Sequence, residues 1–242
     1  MEFDSKQYDP IIITIDGTAA SGKGTLVKGM KQKLDDRYLT MDAGAMYRAL
    51  TFYYLEKKIS PDKLRSEGGL IEKLKKEVNI NFSKKGELLL NDKKLTNNKI
   101  RGPHLDPYVA CYAEIDEVKK YIVEIQKQII ENSDNGWILD GRCMGTAVVP
   151  NAHIKFFVDA DPMVRASRRH RDYEDAGNYH KSIQKVYNEI LERDKKDRET
   201  NIAPLLKPEN AIEIDSMKYS KDEALIITWG RIIRTIIDNY KA

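Results

Sequence analysis

The segment 11-IIITID-16 runs directly into 17-GTAASGKGT-25, and Leu26, Val27, Met30 and Leu34 then repeat at helical spacing. A β-branched run ending on Asp, a loop with three glycines around one lysine, and a helix follow each other without a gap. That order constrains the fold more than any other stretch, because it places a bare backbone at the end of a buried strand and at the start of a helix. Further short apolar runs follow at Tyr38–Met41, Trp137–Leu139, Ile154–Val158 and Ala211–Ile214. Helical periodicities lie between them: Val118, Tyr121, Ile122, Ile125 and Ile129; Ile183, Val186, Tyr187, Ile190 and Leu191; and Leu225, Trp229, Ile232, Ile233 and Ile236. Asp161-Pro162 reads as an N-cap with proline at the first helical position, and Ser220 with Glu223 has the spacing of a capping box. Strands that alternate with helices imply an α/β chain with a parallel sheet covered on both faces. One stretch breaks the alternation. In 78-VNINFSKKGELLLNDKKL-95 two alternating runs flank a glycine turn, which predicts an antiparallel hairpin in a lobe inserted at about 60–98.

The loop fits G-x-x-x-x-G-K from Gly17 to Lys23, with Thr18, Ala19, Ala20, Ser21 and Gly22 between. Glycines let successive N–H groups turn inward on an anion, and the helix N-terminus adds a favourable dipole. Lys23 then supplies a point charge for the β- and γ-phosphates of a nucleotide. The hydroxyl that usually follows this lysine is displaced by one position, since Gly24 precedes Thr25. A magnesium ion there must lean on nucleotide phosphates, on water and on a carboxylate elsewhere. Asp140, directly after Trp137–Leu139, is the best placed, with Thr25 contributing directly or through water; Asp16 and Asp159 are weaker candidates.

Three other stretches point to transfer of a phosphoryl group onto a second phosphorylated molecule. They are 42-DAGAMYR-48, 140-DGRCMGT-146, and an arginine zone of Arg165, Arg168, Arg169 and Arg171 that continues into 192-ERDKKDRET-200. Such transfer needs alignment, exclusion of water and positive charge around the equatorial oxygens, and little covalent chemistry from the protein. No side chain is required as a covalent carrier. A GTP-dependent switch is disfavoured, because the nearest match to the guanine-reading N-K-x-D motif is Asn98-Lys99-Ile100-Arg101.

Taken in order, G-x-x-x-S-G-K-G-T, D-A-G-A-M-Y-R, D-G-R-x-M-G-T and E-R-D-x-x-D-R followed by 203-APL-205 resemble the bacterial cytidylate kinase family over nearly the whole chain. The resemblance implies a five-stranded parallel P-loop core (1–59 and 99–242), a small antiparallel acceptor-binding lobe (60–98) and a short helical lid at about 165–200. It implies transfer of the ATP γ-phosphoryl group to CMP or dCMP, with Mg²⁺ as cofactor. By position, Lys23 would hold the donor phosphates, with Arg165 and Arg169 towards the donor side. Arg48, Arg101 and Arg142 would grip the acceptor phosphate, and Asp42, Ala43, Tyr47, Ala110, Lys119 and Cys143 would line the acceptor site. Arg193 and Asp197 would approach the acceptor ribose and phosphate, and Arg198 would help to close the lid.

Ala43, Ala110, Lys119 and Cys143 stand where relatives usually place Ser, Ser, Arg and Asp, and Thr200 replaces another usual arginine. Lost hydrogen-bond partners change discrimination strongly, so two alternatives accompany the main reading. One is the same chemistry on UMP or another nucleotide, with His104, Asp106 and Tyr108 as other contacts; the second is nucleotide binding without turnover. Cys143 beside Arg142 could also carry a reactive thiol.

The remaining composition sets outer bounds. With 41 basic and 38 acidic residues the net charge is +3, too small for a nucleic-acid surface. Two distant cysteines make neither a disulfide scaffold nor a zinc site. No apolar run approaches the roughly 18 residues of a membrane helix, and 1-MEFDSKQYDP-10 lacks the pattern of a signal peptide. A cytoplasmic monomer is expected.

Overall fold

In the computed structural model, which describes residues 3–102, 104–175, 177 and 181–241, the opening strand β1 (Ile12–Gly17) leads through the loop into α1 (Lys23–Lys33). There follow β2 (Tyr38–Asp42), α2 (Ala43–Glu56), α3 (Pro61–Ser66), α4 (Leu70–Lys75), β3 (Ile80–Phe82), β4 (Leu88–Leu90), β5 (Lys93–Lys94) and α5 (Asn97–Ile100). The chain continues with α6 (Asp106–Ala113), α7 (Asp116–Glu131), β6 (Gly136–Asp140), a single π-helical turn (Met144–Val148) and β7 (Ile154–Asp159). It ends with α8 (Pro162–Asp175), α9 (Ile183–Glu199), β8 (Ile212–Asp215) and α10 (Lys221–Tyr240). Residues 176 and 178–180 of the expected lid lie outside the described residues.

Five strands form the parallel sheet in the order β2-β6-β1-β7-β8. β1 is central, with Ile12 opposite Trp137 on one side and Ile13 opposite Ile154 on the other. It is covered on both faces, so 11-IIITI-15 is apolar at every position but Thr14 rather than alternating. The edge strand β8 instead exposes Glu213 and Asp215, charges that discourage pairing with another chain. Ile11, Ile13, Ile15, Leu26, Met30, Ile138, Phe156, Val158, Ile232 and Ile236 make one buried cluster, so α1 and α10 cover the sheet with the residues their periodicity marks.

The chain divides into two units: Met1–Thr40 with Asp134–Thr200 and Pro204–Ala242, and Met41–Ser133 with Asn201–Ala203. The second unit carries the antiparallel piece, which has three strands where the sequence suggests two. After Leu90 the chain reverses through Asn91-Asp92, both at positive φ (48° and 62°), and Lys93 pairs with Leu90. That is the two-residue turn Asn and Asp tolerate, and the short polar strand behind it gives no period-2 signal. Tyr54 and Tyr112 pack together within this unit, and the Tyr121 hydroxyl donates to the Val78 carbonyl at 3.0 Å.

Candidate active site

Four strands of the first unit deliver their C-terminal ends as Gly17, Asp140, Asp159 and Asp215. In open parallel sheets this edge is where ligands bind. Gly17 has φ +149°, and a Cβ there would lie 1.9 Å from the Val158 carbonyl oxygen, so only glycine lets the loop leave β1 beside β7. Gly22, at φ +98°, caps α1 in the left-handed region. Ser21 ties the loop internally by donating to the Thr18 carbonyl at 3.0 Å, and Thr18 donates to Asp159 at 2.6 Å.

The Lys23 ammonium is buried and donates to the carbonyls of Gly17 (3.1 Å) and Thr18 (2.8 Å). Burial, reinforced by the positive charge of Arg142 and Arg193, pulls its pKa down to about 7, against the opposing pull of Asp140 and Asp16. Asp140, Arg142 and Arg193 therefore each lie close enough to Lys23 for their charges to act on it. Arg142 donates through Nε to Asp197 at 2.8 Å and through a terminal nitrogen to the Gly17 carbonyl. Arg193 lies 3.9 Å from the same Asp197 carboxylate. The loop, 140-DGRCMGT-146 and 192-ERDKKDRET-200, far apart in the sequence, thus meet at the mouth of the loop.

Arg142 is carried by a segment that Asp16 holds. Asp16 is fully buried and accepts from the backbone N–H groups of Met144 (2.8 Å) and Gly145 (2.7 Å), the start of the π-turn. Burial raises its pKa to about 6, with those two N–H bonds pulling the other way. Both oxygens of Asp16 are thus occupied, and one oxygen of Asp159 accepts from Thr18 and from the Ala160 N–H (2.9 Å), while Asp140, at the C-terminal end of β6, is close enough to Lys23 for its charge to act on the ammonium. Among the described residues no three His, Cys, Asp or Glu side chains are grouped to hold an ion. One carboxylate and the exposed Thr25 hydroxyl fit an ion that takes most of its ligands from phosphate oxygens and water, so the residues present suit magnesium.

Arg165 and Asp194 form an element of the site that spacing alone does not reveal. Both side chains are 2% exposed and lie 2.6 Å apart. Arg165 also donates to the carbonyls of Ala160 (2.9 Å) and Ala19 (3.1 Å), while Asp194 accepts from the Ala19 N–H at 3.3 Å. The pair holds the N–H and the carbonyl of Ala19 from α8 and α9, so Arg165 reaches the donor loop through its backbone. Next to it a cavity of about 300 Å³ is lined by Asp159, Pro162, Leu191, Lys195 and Arg198, among others. Arg169 lies over the Tyr173 ring (4.8 Å), and Arg168 holds Ser216 through two 2.8 Å bonds. The signal for Asp194 was present in E-R-D-x-x-D-R, but nothing in that string says which carboxylate turns inward.

The remaining candidates, Cys143 apart, belong to the second unit. Asp42 caps α2 by accepting from the Ala45 N–H (3.1 Å) and takes Arg101 on its other oxygen (3.0 Å). Arg48, further along α2, donates to the Ile100 carbonyl (3.2 Å) and to Asp106. Ala43 is buried at the start of α2, Tyr47 is half-buried on it, Ala110 is exposed on α6, and Lys119 is half-buried on α7. Cys143, in the first unit, is buried, and its carbonyl accepts from Ala147 at 2.8 Å in the π-turn beside Arg142.

The family model described as Cytidylate kinase matches residues 13–233. The cytidylate kinase of Carboxydothermus hydrogenoformans is 38% identical over 215 residues, covering 88% of this chain and 93% of the relative. That of Thermosipho melanesiensis is 36% identical over 232 residues, covering 96% and 99%. That of Fervidobacterium nodosum is 39% identical over 213 residues, covering 88% and 92%. A match of this extent, on a parallel sheet whose glycine loop, lysine and arginines converge, identifies the chain as a member of the cytidylate kinase family.

Proposed function

We propose that the protein is an ATP:nucleoside monophosphate phosphotransferase that converts CMP and dCMP to their diphosphates by direct in-line transfer. The observation that carries the reading is the convergence of Lys23, Arg142 and Arg193 on the mouth of the glycine loop, with Asp140 and Asp197 as their counter-charges. That array can neutralise a phosphoryl group in passage, and family membership supports CMP and dCMP over another acceptor.

In this reading the loop Gly17–Thr25 and Lys23 hold the donor phosphates. Arg142 and Arg193 meet the transferred group, Asp197 orients both, and Arg198 closes over them. Arg48 and Arg101 hold the acceptor's phosphate, with Asp42, Ala43, Tyr47, Ala110 and Lys119 as the further acceptor-side residues of the second unit and Cys143, beside Arg142, as that of the first. Residues 60–98 act as the acceptor-binding lobe and 165–200 as the lid, whose closure excludes water. Asp140 and Thr25 would hold magnesium, which when bound neutralises the phosphate oxygens. Among the described residues no helix is long and apolar enough to cross a membrane, and we place the enzyme in the cytoplasm as a monomer.

The test is ADP release from Mg·ATP with CMP, dCMP, UMP, AMP, GMP and dTMP in parallel. Fast turnover with CMP and dCMP alone is expected. A different best acceptor would make Ala43, Ala110, Lys119 and Cys143 a changed specificity set, and no turnover with any would leave a binding protein. Arg142→Ala should lower use of the acceptor more than binding of ATP.

A further inference from the structure

Arg48 and Arg101, the two acceptor-side arginines of the second unit, each carry a carboxylate, but the two carboxylates are not alike. Asp42, the partner of Arg101, is anchored: one oxygen caps α2 through the Ala45 N–H and the other takes the guanidinium. It orients Arg101 and cannot leave without uncapping a helix of fourteen residues. Asp106, the partner of Arg48, has no such duty. It stands in the first turn of α6, where no side chain caps the helix, and its side chain is 45% exposed. Its other contact is a long one, from the Gly102 N–H at 3.3 Å. Arg48 is the reverse case. Its side chain is 16% exposed and the Ile100 carbonyl fixes one nitrogen, so the cation stays while the anion can turn away. A carboxylate in a helix's first turn is also favoured by the dipole wherever it points, so release from Arg48 does not strand it.

A phosphate dianion and a carboxylate cannot share Arg48 comfortably, because like charges a few ångströms apart repel even near the surface. The phosphate is the stronger claimant, since it carries more charge and offers paired oxygens to the planar fork. We propose that Asp106 is a displaceable counter-ion on Arg48 that an acceptor's phosphate must evict, so that it sets acceptor affinity and keeps weaker anions off the arginine. This rests on the reading that Arg48 holds the acceptor's phosphate. Asp106 acts through Arg48 as a positioning and specificity residue, and its effect falls on acceptor binding rather than on the transfer step.

The test is Asp106→Asn, which keeps shape and the bond from Gly102 while removing the charge, with Asp106→Ser in parallel should the first variant fold poorly. KM and kcat for CMP are measured at saturating Mg·ATP, together with inhibition by inorganic phosphate competing with CMP. KM for CMP and the inhibition constant of phosphate should both fall about three- to fivefold, the size a half-exposed ion pair supports, while kcat and the KM for ATP change less than about twofold. Asp106→Glu, which keeps the charge, should restore the higher KM. A KM for CMP that is unchanged or raised in the neutral variants overturns the proposal. Arg48→Ala separates the two levels: if it raises the KM for CMP strongly while Asp106→Asn does nothing, only the counter-ion fails. If Arg48→Ala leaves that KM alone, the assignment of Arg48 fails as well.

Discussion

At the scale of single residues, the loop depends on one position more than on its lysine. A methyl group at residue 17 would collide with the Val158 backbone, which cannot move without opening the sheet. Gly17→Ala should therefore cost about 2–4 kcal/mol in urea unfolding, from overpacking and an unfavourable φ together; a loss below about 0.5 kcal/mol would show that the loop re-forms elsewhere. Lys23 makes a prediction of another kind. Its pKa in the folded chain is about 7, against an ordinary 10.5. Between those values the unfolded chain binds more protons than the folded one, so this residue makes stability rise with pH across that window. Lys23→Met should flatten that rise. Donor phosphates favour the ammonium, so Mg·ATP binding at pH 8 should take up about one proton per site, and little at pH 6. Calorimetry in buffers of different ionisation enthalpy measures the uptake, and equal uptake in Lys23→Met would contradict the assignment to this group.

At the scale of elements, α9 is the busiest piece. One face turns Asp194 into the Arg165 pair under the loop, and the same helix carries Arg193, Asp197 and Arg198. Asp194→Ala leaves a buried cation without its partner and should cost roughly 3–5 kcal/mol. It should also raise the KM for ATP more than that for CMP, since the clamped residue, Ala19, belongs to the donor loop. Unchanged ATP kinetics in the folded variant would reduce the pair to a structural tie. At the far end, Ser220 and Glu223 complete the capping box that their spacing announces, with bonds of 3.3 and 2.9 Å. Ser220→Ala should cost about 1 kcal/mol by urea unfolding.

What was legible differs with this scale. The five strands of the main sheet were readable because each is a short, mainly apolar run, broken at most by a single polar residue such as Thr14, Thr40, Lys155 or Glu213. Their ends were not, since strand pairing carries polar Asp140, Asp159 and Asp215 into the ladder where hydropathy alone would stop. The grouping of the loop with Arg142 and Arg193 was readable from motif order. The roles of Asp16 and Asp194 were not, because they depend on which backbone N–H groups and cations the folded chain brings to a buried carboxylate, and no local pattern encodes that.

At the scale of the whole molecule, the order β2-β6-β1-β7-β8 places the first strand in the middle. Its neighbours Gly136–Asp140 and Ile154–Asp159 come only after the whole continuous stretch 41–133 of the second unit. Contacts so distant along the chain make sheet assembly a late event, since loop closure must precede the pairing that rewards it. A photo-crosslinker at Ile13 in ribosome-stalled chains should capture outside proteins when synthesis stops before Gly136 and should lose them once β7 has emerged. Capture that persists in the complete chain would refute this. The centrality of β1 thus has a meaning for biosynthesis as well as for catalysis: the strand that aims the phosphate loop spends most of translation with both edges bare, and 11-IIITI-15 is the segment a holding chaperone has most reason to cover.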